Sequence, residues 1–304
     1  MAAERDGIRS HGLVYVPIYC EHLRCGKVNT DAEPVVLSQD GSVIAVDADS
    51  GFAHPAIDIG FDKLGPLAKA MGCAVLTVCN SYNCGVLGYH VERLSADGLV
   101  AIGFTNAPAS IAPAGGRRPV VGTNPVALAV PGVSGQAAFV LDQSASVVAR
   151  SEIMTRVREG RSIPEGWALD AEGQTTTDPA QALKGSMAPS GGYKGFGIGL
   201  LVEVMAAALS GATLGIDASP FSGTEGGPPR TGQCFLALSP DAFSKGTFND
   251  RIHALTRAID DQDNARLPGS RRLENRRRSE SDGVAVDQSL VDRIHSITAG
   301  NDTQ

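Results

Sequence analysis

Between Ala53 and Leu141 the hydrophobic pattern switches repeatedly between a helical period and short continuous apolar runs, and that alternation limits the fold more than any other feature. Ala53 to Met71 spaces Ile57, Ile59, Phe61, Leu64, Leu67 and Ala68 as one helix face would, and stops before Gly72. Ala74 to Cys79 follows as an unbroken apolar run, the pattern of a strand covered on both faces. Leu87 to Ala96 returns to the helical period and closes at Asp97-Gly98. Leu99 to Phe104, Val126 to Val130 and Ala138 to Leu141 read as further strands. Upstream, Val35 to Asp47 reads as a hairpin, two β-branched runs around the turn dipeptide Asp40-Gly41. Strands interleaved with helices place the chain in the α/β class.

The second half is less regular. Ala145 to Gly160 is polar and helical, and Ile163 to Pro179 is rich in turn residues. Phe196 to Leu209 is apolar almost throughout, with Glu203 its one acid; a helix apolar all round is expected to be buried. Phe221 to Thr231 is a Gly/Pro-rich loop, Gln233 to Leu238 a strand, Phe248 to Asp261 an amphipathic helix, and Ser289 to Ile297 a last helix. No repeat or low-complexity linker marks a domain boundary.

At 304 residues with 42% hydrophobic content the chain has ample core and is not disordered as a whole. A net charge of −7 excludes a basic nucleic-acid footprint over the whole chain, so no nucleic-acid partner is expected. No apolar stretch reaches the roughly 18 residues of a membrane span, and no signal peptide is visible, so no membrane partner is expected either. The six cysteines show no zinc-type C-x-x-C spacing and read as free thiols in a reducing cytoplasm.

Several standard signatures are missing: G-x-G-x-x-G after a strand, the phosphate-loop lysine motif, the G-x-S-x-G elbow and H-E-x-x-H. What remains are six polar, glycine-containing patches. Ser10-His11-Gly12 offers a histidine that takes or gives a proton near neutral pH, with a hydroxyl beside it. Asn80 to Gly85 lies between a buried strand and a helix, where helix amides meet anions in open α/β sheets. Gly115 to Pro119 runs on to Gly122-Thr123-Asn124-Pro125. Leu141 to Ser146 sets Asp142 at a strand end, and Trp167 to Gly173 leads to Thr175-Thr176-Thr177-Asp178-Pro179. Ser190 to Gly195 puts Lys194 at a Gly-rich helix entrance, suited to a phosphate or carboxylate. Taken singly, each patch is also explained as turn chemistry or a solvated side chain.

In order and in register, these patches resemble the malate/L-lactate dehydrogenase family. The motifs are SHG, N-S-x-x-x-G, GG-R-x-P-x-x-GTNP, the D-x-x-x-S strand end, PEGW-x-x-D-x-x-G-x-x-TTDP and GG-x-KG, and the match runs from about Glu4 to the C-terminus. The family includes sulfolactate and ureidoglycolate dehydrogenases and the reductases of Δ1-piperideine-2-carboxylate and Δ1-pyrroline-2-carboxylate, the last two being the favoured branch here. The resemblance implies a large mixed β-sheet that binds NAD(P) without a Rossmann domain, with accessory helices, working as a homodimer. Residues 51–244 would form the mixed-sheet cofactor-binding and catalytic domain, and 1–50 with 245–304 a helical, dimerising part.

The implied reaction is reversible hydride transfer at C2 of a small 2-oxo or 2-hydroxy acid or a cyclic 2-imino acid; malate, lactate, sulfolactate and ureidoglycolate are alternatives within the family. By the same resemblance, His11 is the proton donor and Ser10 its relay partner, with Asp170 completing the relay and Asp142 as second choice. Thr123 and the residue at Tyr15 would meet the substrate. Asn83, Cys84, Gly85, Val86 and Leu87 would line the cofactor, as would Asp142, Gln143 and Ser144, Tyr193 and Lys194, and Pro268, Gly269, Ser270, Arg271 and Arg272. NADP is slightly favoured over NAD, because arginines near the C-terminus suit a 2′-phosphate; no metal is implied.

Three departures stand out. Tyr15 replaces a family arginine that holds the substrate carboxylate, Asn83 replaces a common histidine, and D-M-A-T-S is here D-Q-S-A-S. The family also carries a few dozen residues ahead of SHG, so helices preceding Met1 are expected to be missing. The alternative is therefore an impaired homologue that only binds dinucleotide.

Overall fold

The computed structural model describes residues 1–299. A short helix α1 (Ala2–Arg5), a 3-10 turn (Arg9–His11) and α2 (Tyr15–Arg24) precede the hairpin β1 (Val35–Asp40) and β2 (Val43–Asp47). Helix α3 (Ala53–Met71), strand β3 (Cys73–Ser81), helix α4 (Leu87–Ala96) and strand β4 (Val100–Thr105) follow, then β5 (Val126–Pro131) and β6 (Ala137–Gln143). The next segment holds α5 (Arg150–Glu159), β7 (Ala168–Leu169), β8 (Thr175–Thr176), α6 (Pro179–Lys184) and β9 (Ser186–Met187). Helix α7 (Tyr193–Glu203) leads through a π turn at Val204–Ala208 towards β10 (Thr231–Leu238), and α8 (Pro240–Ser244), α9 (Phe248–Asp260), α10 (Ser270–Asp282) and α11 (Gln288–Thr298) close the chain.

Seven strands form one sheet in the order β1-β2-β3-β10-β4-β5-β6, in which β2 and β3 are parallel and every other neighbour is antiparallel. The hairpin falls inside the sequence segment 1–50, yet it supplies two strands of this sheet. One face is covered by α3 and α4, whose inward residues Ile57, Phe61, Leu64, Val91 and Leu94 join Leu76, Ala101 and Phe235 in the main core. Gly60 lets α3 lie close, since a Cβ there would stand 2.5 Å from Leu76. Helix α3 ends at Gly72, where φ is +86° and glycine carries no Cβ penalty. The other face is covered by α7 and its π turn through Val202 and Ala206, against Phe104 and Cys234.

A second, three-stranded sheet, β8-β7-β9, packs with α5 and α6 around Ile111, Val121, Ile153 and Ile163. Helix α7 differs from the expectation of burial: Leu200 and Leu201 are 47% and 46% exposed, and Val204 and Leu209 are exposed as well. One apolar side of this helix and its continuation therefore faces outward.

Candidate active site

The topology sets the site. Because β3, β4 and β6 are each separated by one antiparallel strand, all three run the same way and end on one side of the sheet. A cleft of about 1070 Å³ lies over those ends, where α/β sheets hold ligands. The turn from β3 into α4, the segment after β4, and Asp142 to Ser144 at the end of β6 form its floor. The turn before α2 forms one wall and Pro268 to Arg272 another.

At the mouth, Ser10 Oγ lies 3.1 Å from His11 Nδ1, and the imidazole stacks on Tyr15 with ring centroids 5.9 Å apart. The surrounding cleft wall disfavours the charged ring, holding the His11 pKa below its usual 6.5. Glu4, buried, accepts from the Leu13 N–H at 2.8 Å, and a Cβ at Gly12 would collide with that carboxylate. The glycine after His11 is thus needed to seat the turn on Glu4.

The β3–α4 turn is locked by Asn83, whose Oδ1 accepts from Tyr19 Oη at 3.2 Å and from the Gly85 N–H at 3.1 Å. The amides expected to be free for an anion are in part engaged, since Asp142 Oδ2 accepts from the Gly88 N–H at 2.7 Å. Burial raises the Asp142 pKa, against the pull of that amide and of Arg272. A Cβ at Gly88 would come within 2.8 Å of Asp142 and 2.9 Å of Arg272, so only glycine lets the three meet. Cys84 is buried, its thiol pushed up to about 12, and is no nucleophile.

Arg266, Arg271, Arg272 and Arg276 divide into two sets. Arg272 is buried and bonded to Glu92 at 2.8 Å, and Arg276 reaches Asp6 at 2.6 Å and Glu92 at 2.9 Å. Those two are committed to internal ion pairs. Arg266 and Arg271 line the cleft with exposed side chains.

In the GTNP motif the asparagine is a structural brace. Asn124 is fully buried at φ +35°, donates to Glu203 Oε2 at 2.7 Å and to the Gly199 carbonyl at 2.8 Å, and accepts from the Ala107 N–H at 3.1 Å. Thr123 beside it lines the cleft, and its carbonyl accepts from Ser144 Oγ at 2.9 Å. Glu203, the one acid of its helix, is consumed by this brace and by the Gly215 N–H at 2.6 Å.

Ser10, His11, Tyr15, Thr123, Asn83 to Leu87, Asp142 to Ser144 and Pro268 to Arg272 all line the one cleft. The expected Ser10–His11–Asp170 relay is not assembled. Asp170 stands outside the cleft in the small sheet, and its Oδ1 accepts from the Glu172 and Gln174 N–H groups at 3.0 and 2.8 Å to close its own turn. Tyr193 and Lys194 also stand outside, at the start of α7, with Tyr193 70% exposed.

Other lining groups escaped the sequence analysis: Glu21 and His22 of α2, Thr105 to Ser110, Arg150, and Pro220 to Gly223. The strand-end rule that selected Asn80 to Gly85 also selects Thr105 to Ser110, which leaves β4 on the same side. No local pattern marks the others. His22 is buried with Nδ1 2.6 Å from Tyr82 Oη, and buried His90, 2.8 Å from the Cys84 carbonyl, is pushed down to about 3; both are core histidines.

Known proteins resemble the chain over nearly its whole length. Residues 1–295 match the family model described as malate/L-lactate dehydrogenase. The chain is 45% identical over 294 residues to a (2R)-3-sulfolactate dehydrogenase (NADP(+)) of Chromohalobacter salexigens, covering 97% of this chain and 87% of that protein. It is 38% identical over 300 residues to a Delta(1)-pyrroline-2-carboxylate reductase of Agrobacterium fabrum, covering 96% and 86%. The delta1-piperideine-2-carboxylate reductase structure from Pseudomonas syringae superposes with a TM-score of 0.90 at 32% identity, covering 97% of this chain and 89% of that one. Sulfolactate dehydrogenase from Methanocaldococcus jannaschii gives 0.88 at 29% identity, covering 99% and 88%.

Proposed function

The chain belongs to the malate/L-lactate dehydrogenase family, and from that premise we propose that it is an NAD(P)H-dependent oxidoreductase of small 2-oxo acids or cyclic 2-imino acids. The observation that carries this reading is the Ser10–His11 pair at the mouth of the strand-end cleft.

The cleft fits a dinucleotide. Its volume of about 1070 Å³ is at the upper end of ligand pockets. Ser110 Oγ is buried in its lining with no hydrogen-bond partner among the described residues. Gly269, at φ +84°, packs so tightly that a Cβ would stand 2.8 Å from the Val140 carbonyl, leaving backbone as the wall. Asn83 to Leu87, Asp142 to Ser144 and Pro268 to Arg271 would hold the nicotinamide cofactor, with NADPH favoured because Arg266 and Arg271 remain for a 2′-phosphate. Bound there, the cofactor supplies or accepts the hydride.

The protein's own work is proton transfer and positioning. Reduction at C2 leaves electron density on the substrate oxygen or nitrogen, and His11 delivers a proton to that atom. Ser10 holds Nδ1, so Nε2 faces the substrate. In the reverse direction neutral His11 takes the proton back. The 45% identity to the sulfolactate enzyme puts 3-sulfo-2-oxopropanoate first in a substrate screen, followed by Δ1-pyrroline-2-carboxylate.

The test is NADPH oxidation with each candidate acid by the native chain and by His11→Ala. The variant is expected to lose about 10²–10⁴-fold in kcat with NADPH affinity kept. Unchanged turnover would remove His11 from the mechanism.

A homodimer is part of the same proposal, supported by the outward apolar side of α7. So is a reducing, cytoplasmic setting, supported by cysteines that are all free, two of them exposed. Among the described residues no helix is long and apolar enough to cross a membrane.

A further inference from the structure

A 2-oxo or 2-imino acid brings a carboxylate to the atom next to the reacting carbon, and a carboxylate calls for charged or amide donors. The wall that carries His11, from its turn through α2, is short of them: Ser10, His11, Tyr15, Ile18, Glu21 and His22 line the cleft from there without a lysine or arginine, and the cleft's arginines, Arg150, Arg266, Arg271 and Arg272, come from other walls. Tyr15 brings no charge, since burial raises its pKa above 10.

A cation does stand immediately behind this wall. Lys27 has no exposed surface, and its Nζ donates to the Pro220 carbonyl at 2.7 Å and the Ser222 carbonyl at 3.4 Å. It forms no ion pair among the described residues, where a buried ammonium is normally paired. Burial lowers its pKa from 10.5, outweighing the opposite pull of Cys25 and Glu225 nearby.

In a trans peptide the C=O and N–H point in opposite directions. With the carbonyls of Pro220 and Ser222 turned to Lys27, the N–H groups of Phe221 and Gly223 are turned away from it. Pro220 to Gly223 line the cleft and Lys27 does not, so this segment stands between Lys27 and the cleft. Neither N–H donates to any described residue. The segment is also fixed to the catalytic turn by rings: Phe221 lies 5.4 Å from Tyr82, Tyr82 5.8 Å from Tyr19, Tyr19 5.3 Å from Tyr15, and Tyr15 stacks on His11.

We propose that the Phe221 and Gly223 N–H groups, polarised from behind by the buried Lys27 ammonium, receive the carboxylate carried by C2 of the substrate. Lys27 is then a positioning residue that acts through two peptide dipoles, in place of an arginine that would touch the substrate. The inference rests on the oxidoreductase reading above.

The probe is oxamate, a carboxylate beside a carbonyl, titrated calorimetrically into the NADPH-loaded protein, with uncharged oxamide as control. Lys27→Met is expected to weaken oxamate binding at least tenfold and to change oxamide and NADPH binding less than twofold. In native protein labelled with ¹⁵N-phenylalanine, oxamate is expected to move the Phe221 amide proton downfield, the signal being assigned with Phe221→Leu. This second measurement decides the matter if Lys27→Met does not fold. A folded Lys27→Met that binds oxamate as the native protein does, or a Phe221 amide that does not move while oxamate binds, overturns the proposal and leaves the oxidoreductase reading standing. Failure of the native, NADPH-loaded protein to bind oxamate at all overturns both.

Discussion

His11 has opposite duties in the two directions, and its environment decides which is easier. Its pKa lies below the usual 6.5 because the cleft wall disfavours the imidazolium. Reduction requires the protonated ring, so kcat/KM for reduction is expected to fall as pH rises through a value below 6.5; oxidation is expected to rise through the same value. Parallel pH profiles in both directions check this, and a reduction rate that stays flat from pH 5 to 8 would assign the proton to another group. Asn124 shows the contrasting kind of residue, one whose polarity serves only the fold. Asn124→Ala removes one hydrogen bond each from Glu203 Oε2, the Gly199 carbonyl and the Ala107 N–H at once. A loss of about 3 kcal/mol is expected in urea unfolding, from polar groups left buried and unpaired. A loss under about 1 kcal/mol would mean that water replaces the amide.

Among the elements, α10 depends most on its neighbours. Its sequence offers one large apolar residue, Leu273, so no hydrophobic period announced it. Arg272 and Arg276 on it grip Asp6 just after α1 and Glu92 on α4, and Ser279 Oγ donates to the Arg5 carbonyl at 2.8 Å. The strap therefore joins the turn that carries His11 to the Arg271 wall of the cleft. Burial pushes the Asp6 pKa up, but Arg276, Arg272 and Arg5 together outweigh it and hold the pKa below 3.8. A carboxylate depressed in the folded state stabilises above its unfolded pKa and loses that contribution as pH falls through the folded value. Asp6→Asn is thus expected to cost about 3 kcal/mol at pH 7, and the difference from the native protein is expected to close as the solution is acidified below pH 3.8. Urea curves at neutral and acid pH measure it; a gap that persists in acid would trace the loss to packing.

The same contrast explains what the sequence disclosed. Helices α3 and α4 and the β1–β2 hairpin were legible because a local period ends at a local stop: Gly72, Asp97-Gly98 and Asp40-Gly41. Helix α10 was not legible, because its stabilising partners lie more than 170 residues away, with Arg272 to Glu92 separated by 180. At the site, the polar patches Asn80 to Gly85 and Leu141 to Ser146 coincide with the ends of β3 and β6. Patches of this kind did not separate residues that face the cleft, such as Thr123, from those that close a turn, such as Asp170. That distinction depends on which way a side chain leaves the backbone, and composition carries no record of it.

For the molecule as a whole, the outward side of α7 is the feature a solitary chain does not explain. Ile198, Leu200, Leu201, Val204 and Leu209 are all exposed on one helix and its continuation. Soluble monomers rarely leave a contiguous apolar patch of more than a few hundred Å² in water. Apolarity on both sides of the helix makes sense when the inner side meets the sheet and the outer side meets a second copy. Leu201→Glu places a charge on that outer side and leaves the inner contacts of Val202 and Ala206 intact. Sedimentation is expected to show a dimer for the native chain and a monomer for the variant, with a cooperative melt kept but shifted to lower temperature. Should the variant remain dimeric, the interface lies on another face, and the exposed leucines require a different occupant.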